Sequence, residues 1–214
     1  QSQLFNAQYI NCLNFVIEGG SIESDGKGTL LTTSECLLSP NRNGAWNKDQ
    51  IEQYLKENLG ISRILWLDHG FLEGDDTDSH IDTLARFCPN DTITYIQCND
   101  PKDHHYKALK DMESQLQSFR TQDNRPFRLL PLPMADEIVF DNERLPATYA
   151  NFLIINGAVL YPTYNQPIND SRTAEILTTA FPERQIIGID CRALIKQHGS
   201  LHCVTMQYPK NVIK

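Results

Sequence analysis

The feature that most limits the folds open to this chain is a repeated order of elements: two strand-like runs, an amphipathic helix and a returning strand. Residues 81–132 read this way, and residues 151–189 read this way again. A ββαβ unit of that size cannot bury both of its faces alone, so the copies are expected to pack around a shared axis. Self-similarity between the copies is weak, and the repeat rests on element order.

The strand-like runs are 14–17, 29–33, 63–67, 81–87, 92–97, 128–132, 151–155, 158–161, 185–189 and 201–206. Helix boundaries carry chemical signals. Asn47 and Gln50 have capping-box spacing, after which Ile51, Leu55 and Leu59 recur every fourth residue until Gly60. Asp100-Pro101 predicts a second start, with Leu109, Met112, Leu116 and Phe119 as its inner stripe. A third helix is expected after Asn169-Asp170, with Ala174, Leu177 and Ala180 or Phe181 on one side. The acidic, Pro-bounded stretch 133–146 reads as a surface connection, not a domain linker.

Composition narrows the function. The chain is 40% apolar and 21% charged, enough for a sizeable core. Nineteen Lys plus Arg against 27 Asp plus Glu, a net charge of −8, argue against a nucleic-acid partner and fit a cationic small molecule. No apolar run approaches the roughly 18 residues of a membrane-spanning helix, so no membrane partner is expected. Cys12, Cys36, Cys88, Cys98, Cys191 and Cys203 are scattered without a CxxC pair, the pattern of reduced thiols in a cytoplasmic protein. Residues 1–8 carry no signal or transit pattern and no initiator Met, so the natural start is expected upstream.

Three segments place polar residues where packing alone explains them poorly. Glu18-Gly19-Gly20 follows a strand-like run and sets a carboxylate beside freely approachable backbone; the alternative is a solvated Glu before a hairpin turn. Residues 74–82 hold four carboxylates and His80. If 81–87 is a strand, His80 and Asp82 share one face, an imidazole beside an acid. The register does not suit an EF-hand calcium loop, and the segment is a poor zinc site without further nitrogen or sulfur donors. Residues 197–203 deliver Cys203 through a Gly199-Ser200 turn to the start of a strand-like run, as a thiol nucleophile or an inert core residue. Cys36, Cys88, Cys98 and Cys12 read as core, and Asp103-His104-His105 as a solvated helix start. No phosphate loop or dinucleotide fingerprint occurs, so no nucleotide cofactor is expected.

Taken in order, residues 18–23, 37–43, 74–87, 148–152 and 199–205 resemble agmatine deiminases, members of the guanidino-group-modifying, pentein-fold superfamily similar to bacterial peptidylarginine deiminases. The resemblance spans nearly the whole chain. It implies an α/β propeller of ββαβ modules around a pseudo-five-fold axis. It also implies hydrolysis of agmatine to N-carbamoylputrescine and ammonia, on the route to putrescine, without metal or organic cofactor. By position, Cys203 matches the nucleophile, His80 the acid and base, and Glu18 and Asp82 the guanidinium-binding carboxylates. Asp76 is the candidate for the distal amine, and Gly199 belongs to the substrate-facing turn. The family also carries an upstream W-x-R-D segment that is missing here. The resemblance therefore implies that 1–214 is the C-terminal portion of one catalytic domain, three or so modules. Alone it is expected to be inactive, pairing with the missing portion or forming a homo-oligomer. Peptidyl-arginine as substrate, or a guanidino-binding fragment without catalysis, are the alternatives.

Overall fold

The computed structural model describes residues 4–6, 10–208 and 211–213; residues 1–8, read above for a leader, lie mostly outside them. The chain forms β1 (Ile22–Ser24), β2 (Thr29–Thr33), α1 (Ser34–Leu37), α2 (Pro40–Asn43), α3 (Lys48–Leu59) and β3 (Arg63–Leu67). Then come β4 (Ala85–Cys88), β5 (Thr92–Gln97), α4 (Tyr106–Ser118) and β6 (Arg128–Pro133). A hairpin of β7 (Val139–Phe140) and β8 (Glu143–Arg144) precedes β9 (Leu153–Ile155), β10 (Ala158–Thr163), α5 (Pro167–Ala180) and β11 (Gln185–Asp190).

These elements make three ββαβ modules, each a three-stranded sheet in the orders β1-β2-β3, β4-β5-β6 and β9-β10-β11. In every sheet the first two strands pair antiparallel, and the middle strand pairs parallel with the strand that returns from the helix. A parallel return needs a crossover, which is why a helix recurs at the same place in each unit. The expected repeat is therefore present, with one copy more than the two read from element order.

Local chemistry accounts for the boundaries. The Asn47–Gln50 capping box forms reciprocally, and α3 ends at Gly60 in the left-handed region, φ 65°. The second helix starts later than Asp100-Pro101 predicts, because residues 100–105 are taken up in turns whose carboxylates accept from Lys102 and His105 backbone N–H groups. The third starts earlier, with Pro167 in its first turn.

Two predicted strands, 14–17 and 201–206, are absent, and the run 81–87 becomes a strand only from Ala85. Residues 14–17 form no strand; the Asn43 amide instead pairs with both the N–H and the C=O of Val16. Residues Ile81–Thr83 and His202–Val204 are 3₁₀ turns. In the latter, Asn151 Oδ1 accepts the backbone N–H groups of His202 and Cys203, which a strand would have given to a ladder.

One core built on Leu84, Ile93, Ile96, Met112, Tyr149, Phe152, Val159 and Leu177 is shared by the second and third modules. A second, with Leu30, Leu37, Ile51, Leu55 and Trp66, belongs to the first. Arg86 joins all three modules. Its Nε donates to Glu23 at 2.9 Å, its Nη1 to the carbonyls of Ala150 and Phe152, and Glu23 also accepts the Phe87 N–H at 3.0 Å. Both charges are buried and bonded to each other, so removing either partner strands the other. Arg86→Ala is expected to cost about 3–5 kcal/mol of unfolding free energy, read as a lowered urea midpoint.

Candidate active site

Glu18 caps the 3₁₀ turn Gly19–Ser21 from extended backbone, φ −106° and ψ 151°. It does not stand at a strand end, as the sequence reading had it. Both carboxylate oxygens accept from Arg42 Nε at 2.9 Å. Arg42, in α2, also donates to Asp78 at 2.7 Å and to the Thr77 carbonyl at 2.8 Å. With two carboxylates bonded to it, the guanidinium is held well above its ordinary range despite its partial burial.

His80 and Asp82 do share a site, though not through strand alternation. They flank the entry of a 3₁₀ turn, where Thr83 returns both its N–H and its hydroxyl to the His80 carbonyl. His80 is 8% and Asp82 1% exposed, and two of their atoms, His80 Nε2 and Asp82 Oδ1, are buried with no hydrogen-bond partner among the described residues. Buried polar atoms left unpaired are costly, and a pair of them in one place marks a position for a ligand that donates and accepts. Gly20 makes room for both side chains. A Cβ there would lie 2.6 Å from His80 Nδ1 and 2.9 Å from Asp82 Oδ2.

The C-terminal turn closes on the same groups. His202 Nδ1 lies 2.7 Å from Asp82 Oδ2, and the thiol of the next residue, Cys203, contacts Asn151 Oδ1 at 3.5 Å. Asn151 also donates to the Asp82 carbonyl at 3.4 Å. A Cβ on Gly199 would come within 3.1 Å of Cys203 Cβ, so the small residue permits the tight turn rather than presenting a visible ligand group. Ser200 anchors that turn to Tyr164 at 2.8 Å. Cys203 is exposed, the other five thiols being buried or half-buried. Desolvation, and after it the charge of Asp82, push its pKa up from the ordinary thiol value.

Cys203, Asp82, His80 and Glu18 are thus brought to one place, while Asp76 is not among their contacts. It is exposed and lines a cavity of about 640 Å³ with Glu35, Asp68, Asp78 and Asp111. The inner acid of that loop is Asp75, which accepts from Thr77 and Ser79 and whose carboxyl burial pushes up. Asn151, His202 and Arg42 were not singled out from the sequence. All three lie in motifs that carry the resemblance, 148–152, 199–205 and 37–43, but nothing in spacing assigns them partners. His105 is 1% exposed and bonded to Asp103 at 2.6 Å, a buried dyad and not the solvated helix start expected.

The sequence pattern described as Porphyromonas-type peptidyl-arginine deiminase matches residues 1–209. A Vibrio parahaemolyticus protein provisionally named agmatine deiminase is 39% identical over 91% of this chain and 58% of its own length. Among solved structures, a Porphyromonas gingivalis protein provisionally named arginine deiminase superposes with a TM-score of 0.96 at 55% identity, covering 99% of this chain and 62% of that one. A Campylobacter jejuni C315S agmatine deiminase with substrate bound gives 0.83 at 46% identity, over 88% and 55%. The fold is of the pentein type, and the chain spans about three fifths of the length of these relatives.

Cys203 should be the first thiol alkylated. Asp82→Asn, which removes a nearby negative charge, is expected to move the pH midpoint of its alkylation down, measured as iodoacetamide rate against pH.

Proposed function

Because the chain belongs to the Porphyromonas-type peptidyl-arginine deiminase family, we propose that it is the C-terminal portion of a hydrolase that deiminates the guanidinium of agmatine. The observation that carries this reading is the buried, unpartnered Asp82 Oδ1 and His80 Nε2 beside the exposed thiol of Cys203. A guanidinium is a planar cation with paired N–H donors. Asp82 Oδ1 would accept one pair edge and Glu18, turned from Arg42, another, orienting the central carbon.

Cys203 then attacks that carbon as thiolate. Desolvation and then the Asp82 charge raise its pKa, and an arriving cation offsets that charge. The tetrahedral adduct collapses as the C–N bond breaks, with His80 protonating the departing ammonia, and an amidino-thioether remains. His80, now neutral, takes a proton from water as the hydroxide adds to the same carbon. The C–S bond breaks, the thiolate returns and the ureido product leaves. The step needs no metal or organic cofactor. Asp76, exposed and free of hydrogen bonds among the described residues, is our candidate for the distal ammonium. Gly199 contributes by letting the Cys203 turn close.

The exposed edge of β11, with Ile187 and Ile189 more than a third exposed, supports docking of further modules from the same polypeptide. Six unpaired cysteines support a reducing compartment such as the cytoplasm. No helix among the described residues is long and apolar enough to cross a membrane.

An exposed Cys203 would equally admit an arginine side chain on a peptide, the substrate the family's description names. In the complete protein that carries this chain, ammonia release from agmatine is expected to exceed that from a peptidyl-arginine, and Cys203→Ser is expected to abolish it. Faster turnover of the peptide would overturn the substrate assignment, and unchanged turnover by the Ser variant the nucleophile.

A further inference from the structure

One sulfur, one nitrogen and one oxygen that the deimination reading does not bring together lie side by side beneath the site. The Cys36 thiol, a ring nitrogen of His80 and a Glu18 carboxylate oxygen fall within 4.8 Å of one another, and His80 Nε2 is 3.9 Å from Glu18 Oε2. Cys36 comes from α1 and is fully buried, so the sulfur is the nitrogen-and-sulfur complement that residues 74–82 lack in sequence. We propose that Glu18, Cys36 and His80 form a site for a thiophilic divalent cation of the zinc class, whose binding takes His80 out of proton transfer.

The donor chemistry fits. Zinc takes thiolate, imidazole and carboxylate together, with its ligand atoms roughly 3.5 Å apart, so the three groups need to close by at most about 1.3 Å. His80 Nε2 is buried and has no hydrogen-bond partner among the described residues. That is what separates this set from Glu73, His104 and His105. There, His105 Nε2 already accepts the Glu73 N–H at 2.8 Å and its Nδ1 meets Asp103. Arg42 does not block the site. Each Glu18 oxygen accepting from Arg42 keeps a second lone pair, and Asp78, bonded to Arg42 at 2.7 Å, offsets its charge. Binding forms a metal–sulfur bond as the thiol proton leaves to solvent.

Metal capture stands apart from the enzymatic reading; only the loss of proton transfer rests on it. The test therefore uses cobalt(II) as an optical probe on the metal-stripped 214-residue chain. One equivalent should give a thiolate-to-cobalt charge-transfer band, bleached by one equivalent of zinc. Cys203→Ala should keep the band, and Cys36→Ala should lose it. His80→Asn, checked for folding by its thermal melt, should weaken cobalt binding at least tenfold and serves if the Cys36 variant fails to fold. A band that survives in folded Cys36→Ala or His80→Asn, one that disappears with Cys203→Ala, or no band at all would overturn the proposal. Absence of deiminase activity in the complete protein would sink the enzymatic reading and leave the cobalt result untouched.

Discussion

Arg86 is the cation on which the arrangement of this molecule depends. Its partners sit next to site residues in every module. Glu23 lies five residues after Glu18, Arg86 itself four after Asp82, and the accepting carbonyls of Ala150 and Phe152 flank Asn151. One buried guanidinium thereby sets the spacing of three polypeptide segments that are remote in sequence. An apolar contact would tolerate sliding; a charge with fixed donor directions in low dielectric does not. The carbonyl of Thr83, accepting from the Thr148 hydroxyl at 2.7 Å, repeats the tie between the second and third modules.

Above that staple, the site is built by leaving polar atoms unsatisfied in a controlled way. Asp82 has one oxygen held by His202 and the other open; His80 has one nitrogen open; Glu18 is restrained by Arg42. Such atoms cost the folded chain stability, and in the proposed function a cation with several donors satisfies them, so binding energy is concentrated on the groups that meet the ligand. The same openness makes the pocket hospitable to a metal, because a lone pair that waits for a proton also accepts a divalent ion. Chemistry and metal sensitivity thus share a cause.

Much of this was legible before any coordinates. Ile51, Leu55 and Gly60 announce α3 because helix propensity and capping are local, and the module order follows because a parallel return demands a crossover. Cys203, His80, Glu18 and Asp82 stand out by the resemblance and meet in space. The failures have one physical origin. Residues 14–17, 81–83 and 201–206 look like strands from their apolar content, yet side chains far away in sequence, Asn43 and Asn151 above all, take their backbone hydrogen bonds and bend them into turns.

Residue chemistry and local pattern determined, from the sequence alone, which groups are available here: a thiol, imidazoles, carboxylates, and ββαβ units that cannot stand singly. Tertiary structure alone decided which of them touch. That Cys36 lies against His80, that His202 rather than His198 holds Asp82, and that Asp75 rather than Asp76 points inward all depend on contacts between segments tens of residues apart. Their geometry is set by long-range packing and by Arg86, and neither leaves a periodicity in the chain to be read.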